Sequence, residues 1–169
     1  MGNPFELFGL EPVFEIDEKS LSETYRTLQR VAHPDRHVSE SSQERRRALE
    51  NAAAINDAYH TLRDPFLRAR CLLELQGIET HDGIDPDFLV AHMELREQLE
   101  EVKTMANPEF MLSSIQNKLH ASKADLLLGL AKSFRSGTPK DLAQAAEQVG
   151  RLRFYDRLDA ELSTLETDF

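Results

Sequence analysis

His33, Asp35 and His37 alternate as imidazole, carboxylate and imidazole, donor types that could hold a divalent metal and activate a water for hydrolysis. Their setting argues against it. Two imidazoles four residues apart ligate well on a continuous helix or at a strand end, and Pro34 removes the backbone donor that a helix would need there. No second group completes the coordination, because Cys71 is the single cysteine and His60, His81, His92 and His120 stand apart. A metal hydrolase is therefore only the alternative from another function class, and no metal or other cofactor is expected. The lone cysteine also excludes an internal disulfide. The tripeptide His33-Pro34-Asp35 supports a different chemistry, recognition. A donor and a carboxylate on either side of a rigid proline form a polar tip that can meet another molecule at low entropic cost.

The elements that hold this tip are helical. Leu21, Tyr25, Leu28 and Ala32 recur at helical spacing behind Asp17, a good N-cap, so a helix is expected from about Glu18 to Ala32, ending at the proline. Lys19, Arg26 and Arg30 project from its opposite side, with Glu23 among them, and make that side mainly cationic. A short turn over Pro4 to Leu10 precedes it. A second helix from Ser41 or Ser42 to about Leu62 should pair antiparallel with the first. Asp64-Pro65 breaks this pattern and restarts it as a helix from Phe66 to Gln76, closed by Gly77. Arg45-Arg46-Arg47 spread around their helix and read as a solvated face, not a nucleic-acid patch.

Residues 77–86 hold two glycines, a proline and several polar or acidic residues, the composition of an exposed connection between domains. Helical patterns follow over about Asp87 to Met105, Pro108 to Phe134 and Pro139 to Leu165, enough for a three-helix bundle. No strand-like alternation interrupts them, so the fold class is all-α, with an N-terminal helical domain (1–76) and a C-terminal one (87–169). In the helix from Asp87, Phe88, Leu95, Leu99 and Val102 form a core face. Leu89, Val90 and Met93 lie about 100° to 200° around from Phe88, and Glu97, Glu100 and Glu101 continue that side. Either this second face packs against other parts of the chain, or it is an apolar, acid-bordered docking surface for a partner with apolar and basic groups. The last helix has the same duplicity: Leu142, Ala145, Ala146, Val149 and Leu152 oppose Phe154, Leu158, Leu162 and Leu165. A bend at Gly150, or an exposed Phe154, would resolve it.

The 169 residues carry 20 basic and 30 acidic side chains, a formal charge of −10, which disfavours nucleic acid as a partner. Neither half gathers the positive charge: residues 1–76 hold 10 basic and 13 acidic side chains, and residues 77–169 hold 10 and 17. No apolar run reaches the length of a membrane span, and the N-terminal residues carry no targeting pattern, so a soluble, cytoplasmic protein without membrane contact is expected.

His33-Pro34-Asp35 between two helices, the basic face before it and the run from Ile55 to Pro65 together resemble a J domain, the module by which J-type co-chaperones stimulate a DnaK-type ATPase. The resemblance implies that Arg26, Arg30, His33, Pro34 and Asp35 dock on the chaperone. Over its whole length the chain is similar to the HscB family of iron–sulfur cluster assembly. The runs carrying this likeness are Phe66 to Leu73, Met93 to Glu100 and Arg151 to Leu158. That similarity implies an all-α J domain joined to a C-terminal three-helix domain, with no catalytic residues of its own. The implied partners are an HscA-type chaperone ATPase and an IscU-type scaffold. Carried over by position, the scaffold-binding residues are Leu89, Val90, Met93, Glu94, Arg96, Glu97, Glu101 and Phe154. A J-domain adaptor for a different client is the nearer alternative.

Overall fold

A computed structural model describes residues 2–32, 41–80, 86–105 and 108–168. The described elements are helices: α1 (Pro4–Phe8), α2 (Glu18–Ala32), α3 (Ser42–Arg63), α4 (Pro65–Leu75), α5 (Pro86–Val102), α6 (Glu109–Ser136) and α7 (Pro139–Asp168). No strand occurs among the described residues. The chain divides into two compact units, residues 1–72 and 73–169, a division that falls within α4 and not in the glycine-containing segment 77–86. Residues 81–85 of that segment lie outside the described residues.

In the first unit, α1, α2 and α3 pack on one another. The helix ends are set by side-chain chemistry that the sequence carries openly. Asp17 accepts from the Lys19 N–H at 3.0 Å and from the Ser20 hydroxyl at 2.7 Å at the start of α2; the Ser20 bond is the main reason the Asp17 carboxyl is held below its ordinary pKa. Ser41 and Glu44 form a reciprocal capping box on α3. Asp64 then accepts from the Phe66 and Leu67 N–H groups at 2.8 and 3.1 Å, opening α4 at the proline. At its far end, Gly77 adopts the left-handed conformation (φ 72°) that lets its N–H reach Glu74 and the Ile78 N–H reach Leu73, which closes the helix.

The antiparallel pair α2–α3 is locked by polar aromatic contacts as well as by burial of Leu21, Ile55, Ala58 and Leu62. Tyr25 and Tyr59 stack with centroids 4.0 Å apart, and the Tyr25 hydroxyl donates to Asn56 Oδ1 at 2.8 Å. Gln29 donates to the same Asn56 oxygen and, at 3.3 Å, to the Tyr25 hydroxyl. Arg68 of α4 is buried, yet its charge is placed: Nη1 donates to the Leu62 carbonyl at 2.6 Å, and the guanidinium lies 5.0 Å from the Phe14 ring centroid. Burial lowers its pKa, opposed by the charges of Glu18 and Asp64.

In the second unit, α6 and α7 form a long antiparallel hairpin and α5 packs on α6. Leu99, Val102, Leu112, Ile115, Leu119, Leu158 and Leu162 make the three-helix core, with Leu95, Met111, Phe154, Tyr155 and Leu165 partly buried against it. The two apolar faces of α7 are both used, at different heights. Leu142, Ala145, Ala146, Val149 and Leu152 are buried in its first half, and Leu158 and Leu162 face the three-helix core in its second. A 30-residue helix outruns the 17-residue α5, so its neighbours change along its length and its buried side changes with them. The helix runs through Gly150, and Phe154 is half-buried. Lys123 on α6 bonds Asp156 at 2.7 Å and Asp159 at 3.2 Å on α7, while Lys103 bridges Glu100 of α5 and Glu161 of α7 at 2.7 and 3.4 Å.

Leu99 has no exposed surface, so Leu99→Ala should lower unfolding free energy by about 3 kcal/mol in urea titrations. Burial pulls the Lys123 pKa down, but the hydrogen bonds it donates to Asp156 and Asp159 outweigh it and hold the group above an ordinary lysine. A raised folded pKa means stability that is complete below the unfolded lysine pKa of about 10.4 and is lost as pH rises through the folded value. The alkaline decline in urea midpoint should therefore be shallower in Lys123→Met than in the parent chain.

Candidate functional site

The second face of α5 is in water. Leu89, Val90 and Met93 are 43%, 59% and 54% exposed, although the same helix buries Phe88, Leu99 and Val102 on its other side. The spacing explains both observations at once. At about 100° per residue, the buried three fall within a narrow seam, and the exposed three must then point away from it. Glu94, Arg96, Glu97 and Glu101 are exposed around them. Leu89, Met93, Arg96, Glu97, Glu100 and Glu101 line an open hollow of about 530 Å³.

The charges of this hollow are not equivalent. Glu100 is engaged by Lys103 at 2.7 Å and thus tied, through Lys103, to Glu161. Glu97 and Glu101 border the apolar strip on the side of Val90, and Arg96 borders it beside Leu89. A partner seated here would meet oily side chains first and carboxylates at the rim. Each of the three apolar side chains keeps about half its surface in water, and removing that remainder is worth about 1 kcal/mol apiece before ordering costs.

Phe154 is placed differently from the other residues of this set. Its ring meets Phe88 edge-on, with centroids 5.3 Å apart and planes at 88°, and it is half-buried. The spacing on α7 marked Phe154 as an outlier; its partner could be found only in three dimensions. The bridge made by Lys103 is hidden from the sequence for the same reason. Its i,i+3 relation to Glu100 is readable in the sequence, but the link to Glu161 spans two helices.

On the first unit, Arg26 and Arg30 are exposed on α2, as is Lys19. His33, Pro34, Asp35 and His37 lie outside the described residues. Among the described residues no trio of His, Cys, Asp or Glu is grouped to hold a metal, and no helix is long and apolar enough to cross a membrane.

Residues 84–163, which contain α5 and nearly all of the α6–α7 hairpin, match the family model of the HSCB C-terminal oligomerisation domain. The chain is 40% identical over 168 residues to the co-chaperone protein HscB homolog of Shewanella loihica, covering 97% of each. The chain belongs to the HscB family of J-type co-chaperones. Its fold agrees over almost the full length with solved HscB structures. The chaperone HscB from Vibrio cholerae matches with a TM-score of 0.91 at 41% identity, covering 99% of both chains. The human co-chaperone protein HscB matches with a TM-score of 0.89 at 26% identity, covering all of this chain and 84% of the human one. The α2–α3 hairpin is thus that of an HscB J domain, and α5 to α7 form the HscB C-terminal bundle. The Shewanella and human relatives are named as co-chaperones and the Vibrio one as a chaperone.

If the exposed strip is a surface and not part of the core, the double variant Leu89→Ala, Met93→Ala should shift unfolding free energy by no more than about 0.5 kcal/mol per site. Urea titration of the full chain measures this; a loss near that of a core truncation would place these side chains inside the fold.

Proposed function

We propose that this chain stimulates ATP hydrolysis by an HscA-type chaperone ATPase and delivers an IscU-type iron–sulfur scaffold to it, through separate surfaces on its two halves. Arg26, Arg30, His33, Pro34 and Asp35 engage the ATPase. Leu89, Val90, Met93, Glu94, Arg96, Glu97 and Glu101 engage the scaffold, with Phe154 beside them. The protein acts in the cytoplasm and carries no catalytic residue of its own.

The observation that supports this reading most directly is that the apolar strip on α5 is left in water while the opposite side of the helix buries Phe88, Leu99 and Val102. A contiguous apolar patch rimmed by charge is what a protein partner requires. The mechanism then needs only two equilibria. The HPD loop favours the hydrolysis-competent state of the ATPase by binding that state better, since a ligand shifts a two-state equilibrium only through differential affinity. The cationic side of α2 steers the encounter with an acidic surface. Holding the scaffold on the same chain raises its effective concentration at the chaperone, which adds to delivery without any new contact.

Separate surfaces imply separable defects. His33→Gln should abolish ATPase stimulation and leave scaffold affinity within about twofold of the parent. The Leu89→Ala, Met93→Ala variant should weaken scaffold binding by about tenfold or more and keep stimulation in the absence of scaffold. Calorimetric titration with the scaffold and single-turnover ATPase assays read the two. One change that removed both activities from a folded protein would refute the scheme.

A further inference from the structure

Phe88 sits at the start of α5, directly before Leu89 and Val90, and is 8% exposed. Its ring occupies a socket made by three side chains of α7. Phe154 meets it edge-on at 5.3 Å, Tyr155 meets it edge-on at 5.6 Å with planes at 85°, and the Arg151 guanidinium lies 5.2 Å from its centroid. Arg151, Phe154 and Tyr155 are spaced i, i+3 and i+4, so one face of α7 supplies the whole socket. Among the described side chains of α5, Phe88 is the only buried one before Leu99. Leu95, between them, is only partly buried against the three-helix core.

We propose that Phe88 is a positioning residue for the docking face of α5: its seat in the Arg151–Phe154–Tyr155 socket sets the rotation of the first turns of the helix and so holds Leu89, Val90 and Met93 outward. The inference rests on the docking reading given above and adds a part that touches no partner. A helix turn is set in rotation by whatever side chain it buries. At about 100° per residue, a roll of about a quarter-turn at Phe88 would carry Leu89 to the core side and leave the strip without its first member. Edge-on ring pairs and a cation over a ring face are directional contacts, unlike the burial of an aliphatic chain, so the socket specifies an angle as well as a depth. The same geometry makes Phe154 a wall of the socket, which accounts for its half-buried state.

A positioning role has a kinetic signature that a contact role lacks. When the competent arrangement is populated only part of the time, apparent affinity falls by that fraction through slower association, while the complex, once formed, dissociates as before. Phe88→Leu keeps an aliphatic group in the socket and removes the ring. Measured by stopped flow with the purified IscU-type scaffold and the full chain, its association rate should fall about tenfold, with dissociation within about twofold of the parent. ATPase stimulation without scaffold should be unchanged. Arg151→Met, which keeps the stem and removes the guanidinium, should slow association by about threefold and decides the matter if Phe88→Leu does not fold. The Leu89→Ala, Met93→Ala variant provides the contrast, with faster dissociation. Parent-like association in both socket variants, or a loss carried by dissociation, would overturn the positioning role while leaving the docking face intact. Parent-like binding by the Leu89→Ala, Met93→Ala variant would overturn the docking face and this inference with it.

Discussion

Phe88, Leu99 and Val102 use up one side of α5, and that single constraint determines what the opposite side can be. A helix has one rotational setting, and burial of these three on the α6–α7 hairpin and in its aromatic socket leaves no freedom to bury Leu89, Val90 and Met93 as well. The core leaves the exposed apolar strip as a by-product of its own packing. Lys103 serves the same setting from the other end, bridging Glu100 on α5 to Glu161 on α7.

The first unit solves a related problem with polar atoms. Two antiparallel helices must keep a fixed register if their exposed side chains are to hold constant positions. Tyr25, Gln29, Asn56 and Tyr59 supply that register by stacking and by hydrogen bonds that converge on one amide oxygen. Such contacts are directional and tolerate less sliding than aliphatic packing does. Arg26 and Arg30, on the far side of α2, are thereby held in a constant relation to the end of the helix from which His33-Pro34-Asp35 departs. Each of the two units holds buried side chains of its own.

Electrostatics divides along the same line. The chain as a whole is acidic, yet α2 turns basic side chains outward and α5 turns carboxylates outward, so the two surfaces differ in electrostatic character. Other charges serve structure alone: Lys123 is committed to Asp156 and Asp159 across the α6–α7 seam, and Arg68 to the Leu62 carbonyl beneath Phe14.

Much of this was legible in the residues alone. Helix limits followed from local chemistry, with Asp17, Ser41 and Asp64 as starts and Gly77 as a stop, because capping depends on atoms only a few positions apart. The fold class followed from periodicity, and so did the existence of two apolar faces on α5, since spacing fixes angles on a helix. Spacing also marked Phe88, Leu95, Leu99 and Val102 as the core face, and Phe88, Leu99 and Val102 are buried. What spacing could not decide was whether the second face would be covered by other parts of the chain, because that depends on which surfaces the rest of the fold brings to it. The double-faced α7 was likewise ambiguous until the short reach of α5 was known: a long helix with a neighbour along only part of its length buries different sides at different heights. The socket around Phe88 and the bridge from Lys103 to Glu161 belong wholly to tertiary structure, because they join residues far apart in the chain whose meeting no local pattern encodes.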